Sequence, residues 1–142
     1  MTRATHNERE AIETLNKDWL AAEAQKDIAK LLTLVTDDVV FLPINWPAVV
    51  GKQAVEAMYR IFFDRFSVVE HTTSVSEVRV CDDWAFVWGS EKLILTPKAA
   101  GASVELNGYG MSILQRDAQG VWRFARGINN LSPKPTVISP QK

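Results

Sequence analysis

The sequence predicts an α+β domain, with helices in the first half and strands in the second. Apolar residues recur at three- and four-residue steps up to about residue 66, and at two-residue steps from residue 68 onward. The two periods are segregated along the chain, not interleaved, which argues against a parallel βαβ architecture.

Thr5 and Glu8 have the spacing of a capping box, in which each side chain satisfies the other's free amide at a helix start. Ile12, Leu15, Trp19 and Ala22 then form one apolar stripe, while Glu13, Lys17 and Glu23 take other faces. Asp27 reads as a second N-cap, ahead of a shorter helix carrying Ile28, Leu31, Leu32 and Val35, with "TDD" as its break. From Val39 the run "VVFLP" predicts a short strand that Pro43 ends. The following loop, within "FLPINWPAVVG", has no charged residue and places Trp46 at its middle. A loop this apolar has something to cover, whether a cavity mouth, a partner subunit or the chain's own core.

After Gly51, "KQAVEAMYRIFFDRF" keeps helical spacing through Val55, Met58, Ile61, Phe62 and Phe66, giving a third helix. Four runs rich in Val, Thr and aromatics follow: "VVEHTTSVSEVRV", "WAFVWGSEKLILTP", "ELNGYGMSILQR" and "VWRFARGINNLS". Turn-forming "CDD", "KAAGAS" and "DAQG" separate them, so an antiparallel meander is expected. The proline-bearing "SPKPTVISPQK" predicts an extended or mobile tail over 132–142, leaving 1–131 as a single domain without internal repeats.

The chain has 142 residues, 46% of them hydrophobic and 23% charged, which suits one core. Sixteen basic residues against 17 acidic ones leave a net charge of −1, giving no reason to expect nucleic acid or an anionic membrane as partner. No apolar run approaches the roughly 20 residues of a bilayer span, and a soluble, cytoplasmic protein is expected. Cys81 is the single cysteine, which excludes an intrachain disulfide, and His6 and His71 stand in no metal-binding spacing. The "GYG" at 108–110 lacks the helix and acid of a dinucleotide fingerprint, so neither metal nor cofactor is expected.

Three helices, a short strand between the second and third, and a long sheet resemble the nuclear transport factor 2-like fold. "DWLAAEAQKDIAKLLTLVTDDVVFLP", the loop closing at Gly51, "AFVWGSEKLILTP" and "DAQGVWRFARGINN" resemble the SnoaL-like group, especially its SgcJ/EcaC branch, over about Asn7 to Leu131. The resemblance implies a cystatin-like roll: three N-terminal helices packed on a curved antiparallel sheet around a cone-shaped pocket. It also implies a homodimer joined through the outer sheet faces and a small apolar guest, polyketide- or steroid-like. In this setting "PINWPAVV" would rim the mouth with Trp46 closing over the ligand, or Trp46 would be ordinary core.

Ketosteroid isomerases of this superfamily use a carboxylate base, a tyrosine and a protonated aspartic acid. Carried over by position, these places fall on Pro43, Trp19 and Ser112, so none of the three groups is present. An epoxide-hydrolase mechanism loses its sheet acid at Ser112 as well. Where SgcJ/EcaC relatives show an aspartate after "WR", this chain has Gly127, which reads as a strand bulge or as space for a ligand.

Glu91 and His71 remain as candidates for acid–base work, with Ser112, Asn129, Tyr59 or Tyr109 as hydrogen-bond donors. Strand alternation puts Trp84, Phe86, Trp88 and Ser90 on one face, and Ala85, Val87, Gly89 and Glu91 on the other. The resemblance turns the Trp88 face into the cone and Glu91 outward, whereas the small residues Ala85 and Gly89 fit the reverse. Glu91 is then either an inward base or a solvated carboxylate, and His71 either a proton carrier or a polar residue of the rim. Trp19, Trp46, Phe62 and Trp88 are candidate ligand walls, and core residues otherwise. The function expected is binding of a small apolar molecule, with acid–base turnover or as a non-catalytic binding or dimerisation module.

Overall fold

The Glu8 amide donates to the Thr5 hydroxyl at 3.1 Å and the Thr5 amide donates to the Glu8 carboxylate at 2.9 Å. This reciprocal cap starts helix α1, His6–Ala24. Asp27 caps α2, Ile28–Thr33, by accepting from the Lys30 amide. Gly51, with φ of 89°, leads into α3, Lys52–Arg65. The computed structural model describes residues 1–133. Beyond Pro133 the expected mobile tail lies outside the described residues, while Ser132–Pro133 form a two-residue strand, β8.

The remaining strands are β1 (Thr2–Arg3), β2 (Val35–Leu42), β3 (Val49–Val50), β4 (Phe66–Cys81), β5 (Trp84–Pro97), β6 (Val104–Arg116) and β7 (Trp122–Asn129). They form one sheet in the order β1-β4-β5-β6-β7-β2-β3, with β8 on β6. The meander expected from the sequence is the antiparallel run β4 to β7. Strand β2 joins it in parallel beside β7, and begins four residues earlier than the Val39 start expected. The "TDD" segment is thus not a break but an irregular strand, whose register to β7 shifts between Val35 and Val40. The apolar loop doubles back on β2, pairing Val49 with Phe41 and burying Val49. Trp46, at its tip, is 40% exposed.

Two register shifts in β4, between Val68 and Glu70 and between Val75 and Glu77, decide which side chains face inward. Each adds one residue to the strand, bending it and restoring the inward face after the slip. His71, Thr73 and Val75 consequently share the concave side with Val78 and Val80. Gly89 pairs with Val75 beside the second bulge, where a Cβ would run into the Ser74 carbonyl. Gly127 pairs regularly with Ser112 and with Phe41, so it is no bulge; the extra residue of β7 is Ala125. A Cβ on Gly127 would lie 2.9 Å from the Phe41 ring, which occupies the space the glycine leaves.

The helices cover the concave face. Ile12 and Leu15 of α1 and Val55 of α3 meet Val35, Val39 and Leu114 of the sheet in one buried cluster. No helix among the described residues is long and apolar enough to cross a membrane.

Candidate functional site

Residues 16, 19 and 23 of α1 follow one another at three- and four-residue steps, so Asn16, Trp19 and Glu23 look down on the sheet from the same face. The sheet below supplies His71 and Thr73 from β4, Glu91 from β5 and Ser112 from β6, while α3 supplies Met58 and Tyr59. Together they line a cavity of about 190 Å³ that is open to solvent on one side. Trp19 forms one wall, meeting Phe41, Tyr59 and Phe124 edge-on with ring centroids 5.7, 5.9 and 5.3 Å away. Leu42, Pro43 and Ile128 also line it, Leu42 and Ile128 being about half exposed.

Glu23 corrects the sequence reading that placed it on another face. It is 4% exposed and is the one buried charged residue among those described. One carboxylate oxygen takes His71 Nδ1 at 2.7 Å, and the other accepts from the Tyr59 hydroxyl at 3.2 Å. On the far side of the imidazole, His71 Nε2 stands 3.5 Å from a Glu91 carboxylate oxygen. That is a charge contact without hydrogen-bond geometry, and Nε2 is buried with no hydrogen-bond partner among the described residues. His71 and Glu91 side chains are each 14% exposed.

Burial by itself pushes the His71 ring towards its neutral form; the hydrogen bond with Glu23, followed by the proximity of Glu91, outweighs it and raises the pKa to about 9. The ring is therefore cationic at neutral pH, with Nε2–H free to donate. Burial, then the Glu23 charge, raises the Tyr59 phenol well above its ordinary value, so Tyr59 stays a donor. Asn16 Nδ2 donates to Thr73 Oγ1 at 2.9 Å, tying α1 to the same strand as His71.

Of the residues singled out from the sequence, the cavity brings together His71, Glu91, Trp19, Tyr59, Ser112 and Asn129. The outward placing of Glu91 that the resemblance implies is corrected, and with it the inward placing of Trp88. Trp88 is 36% exposed on the convex face, where it donates to Glu77 and lies 6.4 Å from Tyr109, itself 58% exposed. The reason is the buried Ala85 two turns of the pleat away: it packs against the core, and alternation then sends Trp84, Phe86 and Trp88 outward. Trp46 is absent from the lining, and Phe62 stands behind Tyr59 in an aromatic row with Phe63 and Phe66. Pro43, Trp19 and Ser112, the positions that the sequence resemblance assigns to ketosteroid isomerase groups, all line the cavity. Sequence reasoning missed Glu23, whose signal was its position four residues after Trp19.

A family model described as a SnoaL-like domain matches residues 12–127. No curated protein matches the chain. Among solved structures, a conserved protein from Planctomyces limnophilus DSM 3776 is 32% identical, with a TM-score of 0.84 over 92% of this chain and 100% of that one. A ketosteroid isomerase-like protein from Erwinia carotovora atroseptica SCRI1043 is 28% identical, with a TM-score of 0.80 over 96% and 100%. An NTF2-like protein from Cytophaga hutchinsonii ATCC 33406 shares the fold at 18% identity, with a TM-score of 0.71 over 87% and 98%.

Proposed function

The chain belongs to the SnoaL-like domain family, and on that premise we propose that its cavity binds a small, largely apolar molecule and moves a proton on it by acid–base chemistry. The observation that supports this is the row Glu23–His71–Glu91, in which a charged imidazole presents an unpartnered N–H beside a free carboxylate. His71 donates its Nε2 proton to a ligand carbonyl oxygen, while Glu91 takes a proton from the α-carbon next to that carbonyl, turning a ketone into its enol. Glu23, hydrogen-bonded to Nδ1 and steadied by Tyr59, fixes the ring and holds its charge. For a ketone with a neighbouring double bond, return of the Glu91 proton to a different carbon, with the enol proton going back to His71 Nε2, completes an isomerisation with no net oxidation. The aromatic wall of Trp19, Phe41 and Phe124 excludes water and lowers the local dielectric, which strengthens both transfers.

The test is deuterium uptake from heavy water at the α-carbons of cyclohexanone. The native protein is expected to accelerate it, and Glu91→Gln to lower that acceleration about a hundredfold while ligand affinity is kept. Uptake unchanged in Glu91→Gln would remove Glu91 as the base. With no acceleration even by the native protein, the cavity would be that of a binding module.

The convex sheet face supports a homodimer. Trp84, Trp88, Tyr109, Met111 and Ile113 are each 36% or more exposed there. A solution mass of twice 15.9 kDa is the expected result, and a monomer at micromolar concentration would contradict it.

A further inference from the structure

We infer, resting on the acid–base reading above, that the ligand is a neutral single-ring compound bearing a hydroxyl, whose oxygen accepts from His71 Nε2 and donates to Glu91. Size, gap geometry and charge each narrow the choice.

The cavity of about 190 Å³ is only slightly larger than the ~150 Å³ that is enough for a benzene ring in a protein interior. A four-ring skeleton of the polyketide or steroid kind needs roughly three times the benzene volume. One ring with a short substituent fits between Trp19, Phe41 and Phe124. The polar atoms lie on the other side, on β4, β5 and β6, so the ligand has one apolar and one polar end.

The gap between His71 Nε2 and the Glu91 carboxylate is 3.5 Å, too long for a direct hydrogen bond. Nε2 is buried, so the two side chains must part slightly to admit one oxygen at about 2.8 Å from each atom. Nε2 needs an acceptor and the carboxylate needs a donor. A hydroxyl is both, whereas an ether or a ketone satisfies Nε2 alone and leaves Glu91 unpaired. A phenol is such a hydroxyl, and it is a stable analogue of an enol.

Glu23 and Glu91 flank a single imidazolium, so the row carries a net negative charge. An anionic ligand would meet two carboxylates in a water-poor site, which disfavours it against a neutral one.

The test follows the ring signals of His71 by NMR as phenol, anisole, benzoate or a four-ring steroid ketone is added to the full chain. The chain has one other histidine, His6, whose side chain is 90% exposed and serves as the internal control. Phenol is expected to shift His71 and leave His6 unmoved. Anisole should bind at least about tenfold more weakly, because it leaves the carboxylate without a donor. Benzoate and the steroid should not move His71 at all. Glu91→Leu should erase the difference between phenol and anisole.

Anisole binding as tightly as phenol would overturn the hydroxyl, and displacement of phenol by the steroid would overturn the single ring. Either result leaves the acid–base reading standing if cyclohexanone exchange persists. If no probe moves His71, the inference falls, and the exchange experiment then decides separately whether the acid–base reading falls with it.

Discussion

A histidine held between two carboxylates binds its proton more tightly when folded than when unfolded, and this difference ties stability to pH. The His71 pKa rises from 6.5 to about 9 on folding. Its contribution is therefore complete below pH 6.5 and is lost as pH climbs through 9. The size is roughly 3 kcal/mol at the acid end of that window. Urea denaturation between pH 6 and 10 should show native stability declining across the window, and His71→Gln should remove most of that slope. A native curve that stays level, or rises, would mean the ring is neutral in the folded protein. Tyr59 and Glu23 belong to the same unit. A Glu only 4% exposed would be costly alone, and two hydrogen bonds, one from a charged ring, offset that cost.

At the scale of elements, periodicity and caps made most of the fold readable. Thr5 with Glu8, and Asp27, marked two helix starts, and the change from helical to alternating spacing marked the sheet. What periodicity could not supply was the register after a bulge. The shifts at Val68/Glu70 and Val75/Glu77 reset the inward face twice along β4, and no local residue preference announces them. His71 thus reads as a polar residue of the outer face or rim rather than as part of the interior. Glu23 reads as belonging to another face with Glu13 and Lys17, as glutamate is seldom buried, although it follows Trp19 by four residues. On β5 the small residues Ala85 and Gly89 did carry the signal for the inward face. Gly89 is where the bulged strand comes closest, and Gly89→Ala is expected to destabilise by roughly 2 kcal/mol or more, because the obstacle is the Ser74 backbone. A melting temperature unchanged in that variant would show that β4 can move aside.

Over the whole molecule, the bent sheet and its three helices create two surfaces of opposite character. The concave side holds a small cavity with a charged row at its polar end, and the convex side exposes Trp88, Tyr109 and Met111. The first suits a guest and the second a second copy, so the two can be altered independently. Pro43, Trp19 and Ser112, the positions that the sequence resemblance assigns to ketosteroid isomerase groups, carry no ionisable side chain; the ionisable groups of the cavity come instead from α1, β4 and β5. That substitution rests on His71 being cationic inside the folded chain. An NMR titration of the His71 ring measures this directly. The ring is expected to titrate near pH 9 in the native protein and markedly lower in Glu23→Gln. A native His71 titrating at or below 6.5, unmoved by Glu23→Gln, would contradict it.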